Sequence, residues 1–243
     1  TTLKVADLYG REGWHVHVAS RPEDFFSCAL LCSCHSLREL HLIGIGRPCA
    51  VDSLCHLSLV KLVLIGLCIE TFSGLSKCST LQELEISWCV GPALQDFSEI
   101  ASLPNLCSLK VRQTQYRARP GFPKRICLTP LAGTNISHLD VEGVAEVVNC
   151  EFLKSMPLTY LDLNGCPLRS IRDIAACGML RSLSLCDFSK HGRWGLDTGC
   201  TLRPSDFRHL ASLKHLEELD LSYWKWDYQA RPAGDHDWHI NIK

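Results

Sequence analysis

Fifteen cysteines and eleven histidines are the side chains of this 243-residue chain with most chemistry open to them. The densest group is "CALLCSCH", which holds Cys28, Cys32, Cys34 and His35. Zinc takes four converging thiolate or imidazole ligands at a small set of spacings. Cys-x3-Cys-x-Cys-His is not one of them. His15 and His17 share one face of an extended stretch, and His236 and His239 lie near the far end. Neither pair completes a ligand set, so no metal is assigned. The chain has no phosphate-binding glycine loop, dinucleotide glycine fingerprint, H-E-x-x-H or G-x-S-x-G. "IGIGRP" at 43–48 is a turn after a strand. No cysteine or histidine is specified as a nucleophile with its base. The chain is therefore read as non-enzymatic, with no catalytic residue and no cofactor.

Charge supplies the second kind of chemistry. The net charge is −1, which removes bulk electrostatics as a reason to bind nucleic acid or membrane. Local charge is another matter. "RQTQYRARPGFPKR" at 112–125 gathers Arg112, Arg117, Arg119, Lys124 and Arg125 without an acid, and interleaves Tyr116 and Phe122. Such a segment could contact phosphates and stack on bases. It could equally dock on an acidic protein surface, or be a solvated loop. Pro120-Gly121 and Pro123 favour a loop in each case. A second segment, "FSKHGRWGLDTGCTLRP" at 188–204, is glycine-rich around Trp194. That Trp is an anchor if exposed and a packing residue if it folds back.

These segments interrupt a repeat. L-x-x-L-x-L, with Ile or Val allowed, occurs eight times: "LRELHL" at 37, "LVKLVL" at 59, "LQELEI" at 81, "LCSLKV" at 106, "ISHLDV" at 136, "LTYLDL" at 158, "LRSLSL" at 180 and "LEELDL" at 216. The spacings are 22, 22, 25, 30, 22, 22 and 36 residues. Over about residues 37–225 the chain resembles the leucine-rich repeat family, whose consensus is L-x-x-L-x-L-x-x-N/C-x-L. The ninth position here is Cys89 or Cys166, and elsewhere Ile45, Leu67, Thr114, Val144, Phe188 or Trp224. No copy carries the Asn that commonly bonds the loop backbone, so the turns are divergent. Cys34, Cys78 and Cys177 each stand three residues before a first leucine, and "KCSTLQELEISWC" looks like the cysteine-bearing repeats of plant and protozoan proteins. The resemblance implies an α/β leucine-rich repeat solenoid with a concave parallel β-sheet and short helical or irregular convex segments.

Alternation along x-L-x-L-x gives the same result. The leucines face inward and the x residues outward, and one coil buries its leucines only against its neighbours. Eight strands make an arc of roughly 40 Å. Return segments such as "FSGLSK", "IRDIAAC" and "PSDFRHLAS" read as one or two helical turns, with Asp96 or Ser205 as caps. At the ends, "WHVHV" at 14–18 and "WHINI" at 238–242, with Ile240 and Ile242, read as degenerate coils, ten strands in all. The expected organisation is a capping or degenerate repeat over 1–36, repeats over 37–225, and a capping segment or degenerate repeat over 226–243. The first residue is not Met, so the chain is expected to be processed or part of a longer one, with a removed leader left open.

The outward positions of repeats five to eight include Asp140, Glu142, Tyr160, Asp162, Asp187, Glu218, Asp220 and Tyr223. These are six acids with no Lys or Arg at the same positions: either a solvated face or a Tyr-bearing acidic patch for a basic partner. The cysteines follow the coil pattern and are expected as small buried thiols, with at most one disulfide, in a reducing intracellular compartment, cytoplasmic before organellar. The sequon at Asn135 is the one sign of secretion, and Ile136 within it is expected to be buried. The expected function is non-catalytic protein binding, as a scaffold or a subunit of a larger assembly, through the concave face and the 112–125 loop, with no membrane contact. An RNA- or ribonucleoprotein-associated subunit using the basic loop is the alternative. The cysteine-bearing repeats imply a third, substrate recognition in a ubiquitin ligase, although no F-box-like helical segment precedes residue 37.

Overall fold

A computed structural model of the chain describes residues 2–6, 26–31, 33–44, 48–112, 126–143, 150–166, 168, 170–186, 202, 204–222 and 239–241. Thirteen strands lie among them: β1 (Thr2–Ala6), β2 (Phe26–Ser27), β3 (Glu39–Ile43), β4 (Pro48–Ala50), β5 (Lys61–Ile65), β6 (Cys68–Thr71), β7 (Glu83–Ser87), β8 (Ser108–Arg112), β9 (His138–Glu142), β10 (Tyr160–Asp162), β11 (Ser182–Ser184), β12 (Glu218–Asp220) and β13 (His239–Asn241). They form a ten-stranded sheet, β1-β3-β5-β7-β8-β9-β10-β11-β12-β13, and a three-stranded one, β2-β4-β6.

From β1 to β12 every pairing in the large sheet is parallel and in chain order. The register puts Leu40, Leu62, Leu84, Leu109, Leu139, Leu161, Leu183 and Leu219 in one row, all buried. A second buried row runs Leu42, Leu64, Ile86, Val111 and Val141. This is a leucine-rich repeat solenoid, with the leucines of each coil covered by the coils beside it.

The return segments follow a different period. Apolar residues recur every third position: Phe97, Ile100, Leu103, Leu106; Ile171, Ile174, Cys177, Leu180; Cys150, Leu153, Met156; and Leu75, Cys78, Leu81, all buried. A spacing of three matches the three residues per turn of a 3₁₀ helix better than an α-helix. Accordingly Asp52–His56, Leu75–Lys77, Pro92–Gln95, Thr129–Leu131, Cys150–Ser155, Ile174–Ala176 and Pro204–Ser212 are 3₁₀, and only Ser98–Ala101 (α1) makes an α-turn among the described residues. Cys78 and Cys177 are members of these columns. Asp96 is not the cap: the N-cap of α1 is Phe97, and the Asp96 carboxylate, one residue earlier, accepts the Ser98 backbone N–H at 2.9 Å and hydroxyl at 2.6 Å in a local turn. Ser205 falls inside its 3₁₀ segment rather than ahead of it. Among the described residues no helix is long and apolar enough to cross a membrane.

The missing Asn of the ninth position has a substitute. Cys89 donates its thiol to the Leu64 carbonyl at 3.3 Å, and Cys166 donates to Val141 at 2.9 Å, so each thiol ties its turn to the preceding coil. The position before it is left-handed, with φ of +58° at Gly44, +68° at Gly66, +66° at Gly143 and +64° at Gly165. Trp88 occupies the same place at +55°, a conformation that costs a side chain of its size about 1–3 kcal/mol.

The ends depart from the expected coils. The neighbour of β3 is β1, with Leu3 opposite Leu40, and the stretch 14–18 lies outside the described residues. At the other end β13 runs antiparallel to β12, with Ile240 opposite Leu219, so it is not a further coil of the solenoid. Residues 222–238 lack the three-spaced apolar column that builds the convex side of the other coils.

Leu139→Ala should lower the free energy of unfolding by roughly 2–5 kcal/mol in urea titrations. Glu218→Gln, at an exposed place three coils further along the sheet, should stay within about 0.5 kcal/mol of the parent. Similar losses for the two would contradict the inward–outward assignment.

Candidate functional site

The outward side of the sheet is built of ladders fixed by the same register. One runs Glu39, Lys61, Glu83, Ser108, His138, Tyr160, Ser182, Glu218. The next runs His41, Val63, Glu85, Lys110, Asp140, Asp162, Ser184, Asp220. A shorter third runs Ile43, Ile65, Ser87, Arg112, Glu142. At the first coils opposite charges alternate: His41 Nε2 lies 2.7 Å from Glu39, and Lys61 lies 3.8 Å from Glu39 and 3.3 Å from Glu83. These pairs are partly exposed and contribute little to stability.

The acidic half is not one solvated face. Asp140 is 1% exposed and Asp162 9%. Arg112, expected in the basic insertion, is the last residue of β8 and sits in the ladder beside Glu142. Its guanidinium donates through Nη2 at 2.5 Å and Nε at 3.1 Å to the same oxygen, Asp140 Oδ2, and lies 3.7 Å from Glu142. Asp140 Oδ1 is buried without a hydrogen-bond partner. On the next strand Asp162 accepts the Asn164 backbone N–H at 2.8 Å and its side-chain amide at 3.0 Å. The Asn164 side-chain oxygen, Oδ1, accepts in turn from the Ser184 hydroxyl at 2.8 Å and the Cys186 N–H at 2.6 Å. Two residues before the acids, the rings of His138 and Tyr160 stack at 3.9 Å and 4°.

Burial dominates the electrostatics of this cluster. It pushes the Asp162 carboxyl up to about 7, against the pull of the Asn164 N–H and with the push of Asp140 and Glu142. Glu142 is raised, first by burial, with Arg112 opposing. Tyr160 goes up to about 12, first through burial and then through Asp162. His138 is lowered, first by burial and then by Lys110.

Of the other expected site residues, Glu218 and Asp220 lie on β12. Glu218 accepts the Ser182 hydroxyl at 2.9 Å, and Asp220 accepts the Ser222 N–H and hydroxyl at 2.9 and 2.5 Å. Tyr116, Arg117, Arg119, Phe122, Lys124, Arg125, Asp187 and Tyr223 lie outside the described residues, as does Trp194. His138 was not among the expected site residues, and Asn164 was read from the sequence only as an outward position of the same surface. The signal for His138 was its alignment with Tyr160 at the third position of the repeat.

Twelve cysteines among the described residues stand outside any disulfide. Burial pushes Cys78 and Cys177 up to about 11, and Cys150 and Cys186 up to about 12, so these four are poor nucleophiles at neutral pH. Among the described residues no three His, Cys, Asp or Glu gather as a metal site.

No family model matches the chain. No curated protein matches it either. Solved structures similar to it include the following three. An internalin from Listeria monocytogenes is 16% identical, with 80% of this chain and 64% of that one covered and a TM-score of 0.45. A leucine-rich repeat protein of Leptospira interrogans is 19% identical, with 79% and 50% covered and a TM-score of 0.43. PEPR1 in its complex with AtPEP1 is 17% identical, with 81% and 30% covered and a TM-score of 0.37. The chain spans less than two thirds of each. The fold assignment stands on this chain's own strand register.

The Asp162 carboxyl is raised on folding, so its contribution favours the folded state below about pH 4 and is lost as pH rises through about 7. Asp162→Asn should therefore flatten the pH dependence of stability over that window, gaining on the parent most above pH 7. Parallel stability profiles from urea titrations between about pH 5 and 8.5 would contradict the assignment.

Proposed function

We propose that this chain is a non-catalytic protein-binding module, a scaffold or a subunit of a larger assembly. In this reading the partner lies on the concave sheet, across Asp140, Glu142, Tyr160, Asp162, Glu218 and Asp220, with Asp187 and Tyr223 extending the surface. The segment 112–125 adds Tyr116, Arg117, Arg119, Phe122, Lys124 and Arg125 as a second contact, beside Arg112 on β8. The carrying observation is the outward side of the sheet itself. Its ladders hold charged and aromatic side chains in fixed register, while the fold's stability resides in the opposite, leucine-bearing side. A surface separated from the core in this way changes its side chains without cost to the fold. The cysteines outside any disulfide support a reducing compartment for this role.

Affinity purification of the full-length protein tests the reading. The set Glu142→Gln, Glu218→Gln and Asp220→Asn should reduce recovery of protein partners at unchanged thermal stability. Unchanged recovery would remove the concave face from the reading. Replacing Arg117, Arg119, Lys124 and Arg125 with Ser should weaken association and its salt sensitivity. If that loss appears only for species that nuclease treatment removes, the RNA-associated alternative replaces the protein one for this segment. Alkylation of the unreduced, unfolded protein should label at least thirteen cysteines, fifteen less the two of one bridge. Markedly fewer would move the protein to an oxidising compartment.

A further inference from the structure

Asp140 and Asp162 face the same side of adjacent strands, one residue opposite the other. We infer that this aligned pair, beside the stacked rings of His138 and Tyr160, is a seat for one arginine side chain of a protein partner. The inference rests on the protein-binding reading and gives the partner a chemistry.

The first reason is the unmet valence of Asp140. Arg112 places both its contacts on Oδ2, and Oδ1 stays buried with no donor. Leaving such an acceptor unpaired costs the full desolvation of the group, and more for a carboxylate than for a neutral one. Lys110 is in register with Asp140 yet forms no ion pair with it among the described residues. Asp140 and Glu142 share the one engaged guanidinium, and Asp162 stands opposite Asp140 on the next strand. Asp140 thus keeps one buried oxygen without a donor, although Arg112 and Lys110 stand on the strand beside it.

The second reason is shape. Tyr160 and His138 precede the two acids by two residues on the same strands, so the ring stack adjoins the acid pair on the same face, about 7 Å along the strands. A flat guanidinium can bridge two carboxylates with its forked N–H groups and lay its plane on an aromatic ring. An ammonium does the first as a point charge and the second less well. The site therefore selects arginine over lysine.

The third reason is the state of Asp162. Burial keeps its carboxyl largely protonated until about pH 7, and an arriving cation would hold it ionised. Binding then releases a proton and strengthens as pH rises. The groups facing Asp162 are His138, Asp140 and Glu142 on β9, Lys110 and Arg112 on β8, Tyr160 and Asn164 on its own coil, and Ser184 and Cys186 on the next. Of these His138 loses a positive charge in the same direction, so a variant at Asp162 is needed to separate the two.

The probe is the tripeptide acetyl-Gly-Arg-Gly-amide, with its lysine counterpart and its citrulline counterpart, which keeps the shape of arginine without the charge. Amide resonances of the isotopically labelled full chain report both folding and location. At about pH 8 the arginine peptide should shift the amides of 139–142 and 160–164, and the citrulline peptide should not. Asp162→Asn should weaken arginine binding about tenfold and remove most of its gain between about pH 6 and 8. Tyr160→Leu should preserve binding but narrow the preference for arginine over lysine. Equal shifts with citrulline, or arginine shifts confined to exposed acids such as Glu83 and Glu217, would overturn the inference. So would a pH gain that survives in Asp162→Asn, which would assign it to His138. If the tripeptide fails while partner recovery still depends on Glu218 and Asp220, the arginine seat falls and the protein-binding reading stands. If both fail, both fall.

Discussion

A leucine on the inward side of one coil has nothing of its own coil to be buried against. That constraint organises the molecule. It requires a neighbour of the same width, a parallel strand in the same register and a return path of matched length. The row from Leu40 to Leu219 meets the requirement across eight strands. The three-spaced columns behind it, such as Ile171, Ile174, Cys177 and Leu180, close the coils, mostly with 3₁₀ turns. The thiols of Cys89 and Cys166 tie consecutive turns where other repeats use an amide.

The same register dictates what the other face can be. Outward residues at equal positions stand about 4.8 Å apart on adjacent strands, whatever their charge. At Glu39, Lys61 and Glu83 the opposite charges pair. Where it places Asp140 beside Asp162, two carboxylates are held together by a backbone that the leucines fix. Arg112 from the preceding strand neutralises part of this, and burial raises Asp162 instead of allowing both acids their ordinary charge. Core geometry thus produces the electrostatic tension on the concave face.

Much of this was legible in the sequence, because periodic apolar residues encode strand order and register directly. The eight strands, their parallel order and the burial of Leu84, Leu109, Leu139, Leu161, Leu183 and Leu219 follow from the repeat. The ends were harder. β1 lies 37 residues before its partner in the sheet, and β13 turns back antiparallel, so neither obeys the period that made the rest readable. The second sheet, β2-β4-β6, arises from short stretches such as Pro48–Ala50 that carry no alternation long enough to recognise. The candidate site was legible by position and not by state. Asp140, Glu142, Tyr160 and Asp162 could be assigned to the outward face, but the burial of Asp140, its pairing with Arg112 and the ring stack of His138 depend on cross-strand neighbours. The eighth-position turn shows the same limit, since Trp88 gives no local hint of a left-handed backbone.

The central claim is that each coil is stabilised by its neighbours and not by itself. Amide hydrogen exchange of Leu109→Ala, compared residue by residue with the parent, tests it most directly. The account predicts that protection falls in β8 and also in β7 and β9, fading toward β3 and β12. A loss confined to β8, with β7 and β9 exchanging as in the parent, would contradict it.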